Sequence, residues 1–295
     1  MTRSSQPSTP RLTQRVYDLL RSLDLFPMTV PQLRRLSSCW NDPFLSDSRL
    51  QQKLGELRRV GWVRSFPYAV PSDGRPPHYW KLTRLGFQIA FHERTIPRAR
   101  CFSAIGVAAH QHTRVLSDIL VHSFCSLHEH RLNVFDYRRE NEWRIRAGSG
   151  TVFPDAAFRV RVGDRSFLFC IEADIGSERI QTAKDVAGIE RKLRIYDLFQ
   201  SSMTAYDPGR PIVLFITTRG KQRVRHIQQT AALVMQNPGR TLAYATDLSR
   251  FLSEPSPFTA SLFVDHRFRC RPLLRNVPVR RNINAKPLAP RCAVC

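Results

Sequence analysis

Residues 152–217 place the tightest constraint on what this chain can fold into. A strand-like run at 152–162 meets the turn Gly163-Asp164, and a second strand-like run follows at 166–174. Residues 177–202 then read as one long helix, with Ile180, Ala183, Val186, Ile189, Leu193, Tyr196 and Phe199 recurring on a single face. The fully apolar run Pro211-Ile-Val-Leu-Phe-Ile-Thr217 closes the segment. A two-residue turn joins antiparallel strands, whereas a helical crossover returns the chain parallel to the strand it left. A strand apolar on both faces has to be covered on both. The segment therefore predicts a mixed sheet flanked by helices.

The elements around it extend that reading. Residues 108–128 form a helical pattern with Val115, Ile119, Leu120, Phe124 and Leu127 inward, and short strand-like runs lie at 133–137 and 143–146. Beyond Thr217 come a helix at 224–235 and strands at 242–245 and 260–264. After His266 the chain is rich in Pro and Arg and reads as a solvated basic tail, residues 266–295.

The N-terminal part has a different rhythm. Residues 1–10 are rich in Ser, Thr and Pro and read as disordered. Leu12, Val16, Leu19, Leu20 and Leu23 recur at helical spacing up to Pro27, and Thr29-Val-Pro-Gln32 is a capping-box start for a short second helix. A third helix carries Leu50, Leu54 and Leu57 on one face and ends at Gly61. Two strands, 62–66 and 78–82, flank the turn Ser72-Asp-Gly-Arg-Pro-Pro77, and a fourth helix follows Thr83. Three helices and a hairpin are the order of a winged helix-turn-helix, here over residues 11–95, whose third helix enters the major groove. Its outward face carries Ser48, Arg49, Gln52 and Arg59, residue types that can reach base edges, and Arg75 lies at the wing tip. The competing reading makes this a protein-binding module with a solvated face.

Charge favours the first reading. The chain has 46 Lys and Arg against 24 Asp and Glu, a formal net charge of +22, which calls for a polyanionic partner such as double-stranded DNA. No apolar run is long enough to span a bilayer, and the N-terminus lacks a secretory pattern, so a cytoplasmic location is expected. The 7 cysteines are unevenly spaced, as in a reducing compartment. Cys292 and Cys295 form a lone pair that could contribute half of a zinc site, with Cys270 as a candidate third ligand. The histidines read as core or surface residues. No phosphate-binding loop, dinucleotide fingerprint, serine-hydrolase elbow or relaxase-type His-hydrophobe-His motif is present.

The chemistry concentrates on acids near the central hairpin. Asp155 follows Phe153-Pro154 at the start of one strand, and Glu172-Ala173-Asp174 ends the next. Residues i and i+2 of a strand share a face, so Glu172 and Asp174 project together and the hairpin brings Asp155 beside them. Such a set of carboxylates suits magnesium or manganese, which polarises a phosphodiester and activates water. The rival reading has Asp155 capping a turn, and Glu172 and Asp174 paired with Arg159, Arg161 or Arg179.

This arrangement resembles the PD-(D/E)xK nuclease fold, a restriction-endonuclease-like αβββαβ core, here assigned to residues 103–265. Pro154-Asp155 matches the first element of its motif and Glu172 the second acid, whereas Asp174 stands where that family usually has lysine. The resemblance implies that Asp155 and Glu172 hold the metal. It also implies that Lys192, with Tyr196 one turn on, supplies the cation from the following helix, and that Glu142 can serve as an additional acid. Over roughly residues 11–217 the arrangement further resembles the plasmid replication-relaxation proteins, on Leu54-x-x-Leu57…Gly61-Trp62, Tyr79-Trp-Lys-Leu-Thr-x-x-Gly86, Phe153-Pro-Asp-Ala156, Phe169-Cys-Ile-Glu172-x-Asp174-x-Gly176 and Lys192-x-x-x-Tyr196. That implies a role in plasmid replication, relaxation or mobilisation, with replication or transfer proteins as partners. Two outcomes stay open. One is metal-dependent DNA nicking by Asp155, Glu172, Asp174 and Lys192; the other is an inactive regulator on the same scaffold. A homodimer is one arrangement such a chain can take.

Overall fold

The computed structural model describes residues 10–69, 74, 76–92, 94–176, 188–236 and 238–275. These divide into two compact units, with the division inside one helix at Ser117/Asp118. Among them, no helix is long and apolar enough to cross a membrane.

The first unit contains α1 (Gln14–Leu25), β1 (Met28–Thr29), α2 (Val30–Ser37), α3 (Asp47–Arg59), β2 (Val63–Pro67), β3 (His78–Leu82) and α4 (Arg84–Ala90). Thr29 begins α2 with the capping box expected from its sequence: its hydroxyl accepts from the Gln32 amide while Gln32 bonds back to the Thr29 amide. Ser46 caps α3 in the same manner by accepting from the Arg49 N–H. The wholly buried Leu50, Leu54 and Leu57 turn inward and leave Ser48, Arg49, Gln52 and Arg59 exposed on the opposite side. The strands form a three-stranded antiparallel sheet in the order β1-β3-β2. Strand β1 has no counterpart in the sequence reading, because two residues are too short to show a period. Gly86 lies where α4 presses on the Trp62 carbonyl; a Cβ there would stand 2.0 Å from that oxygen.

The second unit begins within α5 (His110–Glu129) and adds β4 (Asn133–Arg139), β5 (Ile145–Ala147), β6 (Gly150–Val152), β7 (Ala156–Val162) and β8 (Arg165–Asp174). It continues through α6 (Ile189–Ser201), β9 (Pro211–Thr217), α7 (Gly220–Val234), β10 (Ala243–Asp247), α8 (Leu248–Ser253), β11 (Phe263–Asp265) and β12 (Cys270–Arg271). Seven strands form one mixed sheet, ordered β12-β11-β10-β9-β8-β7-β4. Strands β8, β9 and β10 run parallel, and the remaining neighbours pair antiparallel. This is the mixed α/β architecture expected, and the apolar β9 occupies its centre.

Three details differ from the sequence reading. The run at 152–162 is broken at Phe153-Pro154-Asp155, because Pro154 cannot donate to the ladder. Its first part instead makes the β5–β6 hairpin, which lies against α6 so closely that Gly150 has no room for a Cβ beside Ile195, at 2.6 Å. Only residues 188–202 of the expected long helix are described, and residues 177–187 lie outside. The stretch after His266, read as tail, holds β12 and the buried Leu274, whose amide donates to the Phe258 carbonyl.

The two faces of the sheet have separate cores. Phe124 of α5, Phe158, Phe169 and Phe258 pack ring against ring on one side, edge to face except for the tilted Phe158–Phe169 pair. On the other, Cys170, Leu193, Tyr196, Phe215 and Ile227 join α6 and α7 to the strands. Alternation along β8 therefore sends Cys170, Glu172 and Asp174 toward α6 and α7.

Candidate active site

The site lies at the C-terminal end of β8, where parallel strands finish beneath α6. In the β7–β8 register Ala156 faces Ile171, so one further step sets Asp155 opposite Glu172. The Asp155 amide donates to the Ile171 carbonyl at 3.1 Å, and its Oδ2 accepts from the Ala173 amide at 2.7 Å. Pro154 ends the ladder, and these two bonds fix the carboxylate beyond it.

Glu172 is 2% exposed. Lys192 Nζ donates to its Oε2 at 2.8 Å, and the Tyr196 hydroxyl donates to its Oε1 at 2.6 Å. Lys192 and Tyr196 are four residues apart on α6, so one helical turn presents both to the same carboxylate. Burial raises the Glu172 pKa from 4.5 to about 7; Lys192 pulls it down, while the neighbouring negative charge of Asp155 adds to the rise. Burial also pushes the Tyr196 phenol well up, and Glu172 reinforces that shift.

Asp174 departs from the expected set. Arg223 of α7 grips it with two bonds, Nε to Oδ2 at 2.7 Å and Nη2 to Oδ1 at 3.0 Å. The Thr217 hydroxyl and the Gly176 amide add two more, at 2.8 and 3.0 Å. Burial opposes ionisation here, but these hydrogen bonds outweigh it and hold the pKa below the ordinary aspartate value. Asp174 thus locks the C-terminal ends of β8 and β9 to α7. Glu142, the suggested extra acid, is tied to Arg139 at 2.7 Å in the β4–β5 turn. Two of the arginines offered as partners for the acids are engaged elsewhere, Arg159 with Asp136 and Arg161 over the Phe135 ring; the third, Arg179, lies outside the described residues. Arg223, which sequence reasoning missed, lies on a different element from Asp174 and carries no local signal.

The expected three-carboxylate set is therefore a pair, Asp155 and Glu172, with Lys192 and Tyr196. No group of three or more His, Cys, Asp or Glu side chains suited to a metal occurs among the described residues. The pair still fits magnesium, which takes one or two carboxylates and fills its remaining positions with water and substrate phosphate. A cation would relieve the mutual repulsion that Asp155 imposes on Glu172.

Of the residues read as DNA contacts, Ser48, Arg49, Gln52 and Arg59 share the exposed side of α3, and neither Arg49 nor Arg59 makes an ion pair among the described residues. Arg75 lies outside the described residues, as do Cys292 and Cys295, while Cys270 is exposed on β12.

No family model and no curated protein matches the chain. Two solved structures are similar at 10% identity. One is restriction endonuclease FokI, over 82% of this chain and 44% of that one, with a TM-score of 0.28. The other is FokI bound to DNA, over 84% of this chain and 46% of that one, with a TM-score of 0.25. The chain spans less than half the length of either.

Proposed function

We propose that this chain is a DNA-processing protein of the plasmid replication-relaxation type. Its N-terminal unit is a winged helix that docks on duplex DNA through Ser48, Arg49, Gln52, Arg59 and Arg75. Its second unit is a PD-(D/E)xK-type, metal-dependent endonuclease. The observation that carries the reading is the convergence of Lys192 and Tyr196 on Glu172 beside Asp155.

Asp155 and Glu172 are the residues that would hold magnesium or manganese, which supplies polarisation of the scissile phosphate and acidification of the attacking water. The chain's own groups do the rest. The Ala173 amide fixes Asp155, and Tyr196 fixes one oxygen of Glu172 so that it faces its neighbour. Lys192, partly exposed at the rim, offers its ammonium to the charge developing on the phosphate oxygens. Asp174 and Arg223 hold the floor under these groups and take no part in the chemistry.

The test is a supercoiled plasmid incubated with magnesium or manganese. Nicked or linear product is expected from wild type, with losses of about a hundredfold or more in Asp155→Ala, Glu172→Gln and Lys192→Met. Cleavage undiminished in all three would sink the assignment. A non-hydrolytic regulator is the second reading, favoured by the engagement of both Glu172 oxygens by Lys192 and Tyr196. It expects DNA binding with no product, and sensitivity to Arg59→Ala but not Asp155→Ala.

A further inference from the structure

The ends of the parallel strands continue past the acid pair into a second feature. Asp174, Thr217 and Asp247 lie side by side in register across β8, β9 and β10. At the strand spacing of about 4.8 Å, Asp247 stands roughly 10 Å along the sheet from Asp174. There the start of α7, α8 and the β11–β12 turn enclose an open groove of about 920 Å³.

Its lining mixes positive charge with one aromatic ring. Lys221 and Arg225 enter from the first turns of α7 and Arg250 from α8. All three are exposed, and none has an ion-pair partner among the described residues. Asp247, the acid bordering the groove, is occupied: it accepts from the Ser249 hydroxyl and from the Ser249, Arg250 and Gly220 amides, which hold its pKa down against the effect of burial. Phe268 is 50% exposed and sits at φ 59°, a conformation unusual for a bulky residue. Asp265 holds that turn by accepting from the Arg267 and Arg269 amides, at 2.9 Å each.

We propose that this groove holds a single DNA strand next to the acid pair. Phosphates lie against Lys221, Arg225 and Arg250, and one base stacks on Phe268. Cations that follow a backbone, paired with an exposed ring, are how single strands are held without reading their sequence. The proposal deepens the nuclease reading and rests on it for the path of the strand, from the groove across the ends of β10 and β9 to Glu172.

The test measures anisotropy of a short fluorescein-labelled oligodeoxythymidine with the full-length protein in EDTA, over a salt series. Arg225→Ala with Arg250→Ala should weaken binding at least about tenfold at low salt. It should also flatten the slope of log affinity against log salt by about 1.4, or 0.7 per phosphate lost. Phe268→Ala should cost about 5- to 150-fold, with Phe268→Trp retaining affinity. Affinity and slope unchanged in every variant would overturn the groove. If the plasmid is still nicked in that case, the nuclease reading survives alone. Weakened oligonucleotide binding in the variants, with no nicking by wild type, supports the groove and removes the nuclease.

Discussion

Glu172 is held at odds with its own charge. A carboxyl whose pKa is higher folded than unfolded keeps its proton better in the folded state. Its stabilising share is complete below about 4.5 and is lost as pH rises through about 7. Without metal, the folded protein should therefore weaken between pH 5 and pH 8. Glu172→Gln, which keeps the shape and can still bond Tyr196, should be more stable at pH 8 by about 3 kcal/mol, at about 1.36 kcal/mol per pKa unit. The advantage should shrink to under about 1 kcal/mol near pH 5. Urea unfolding in EDTA at the two pH values measures it, and a difference independent of pH would count against the buried, repelled carboxylate. Asp174 has the opposite sign. Its depressed pKa contributes stability above its ordinary value near 3.8, lost as pH falls through the lower folded value. Arg223→Ala strands that buried carboxylate and should cost about 3–5 kcal/mol at neutral pH, shrinking in acid, by the same unfolding measurement.

At the level of elements, what could be read in advance depended on distance along the chain. Lys192 and Tyr196 share a helix face, and Asp155 and Glu172 sit on strands joined by a two-residue turn, so their meeting follows from local periodicity. The partner of Asp174 does not: Arg223 is 49 residues away, on a helix whose packing only the assembled sheet decides. Short elements escaped for another reason. The strands β1 and β12 have two residues each, and α8 is a single capped turn and a half, lengths over which no period can show. Where elements touch through backbone, one substitution should be decisive. Gly86→Ala drives a methyl into the Trp62 carbonyl, which Thr83 also bonds, and should destabilise the first unit by about 3 kcal/mol. Chemical unfolding followed by tryptophan fluorescence would register it, and a change within about 0.5 kcal/mol would contradict the close approach of α4 to the Trp62 backbone.

Over the whole molecule the excess of positive charge dominates, at +22 for 295 residues. On the proposed reading, duplex DNA gathers six to ten phosphate contacts. Affinity should then fall by roughly three to five decades between 50 and 200 mM salt. A titration of labelled duplex across that range measures it, and a flat response would exclude nucleic acid as the partner of either unit.

The sheet's two flanks carry a consequence of their own. Among the described strands, the outermost are β12, only two residues long, and β4, whose pairing slips between Phe135 and Arg138 where Asp136 adopts φ 49°. Arg138 and Arg159 close on Asp136 there, and Arg271 of β12 bonds Asp265. A short margin and a kinked, charged one offer a passing strand no straight ladder to join. Seven strands that could have seeded an endless ribbon are instead finished at both sides. On the proposed reading, copies crowded onto a polyanion would be concentrated there without zipping together.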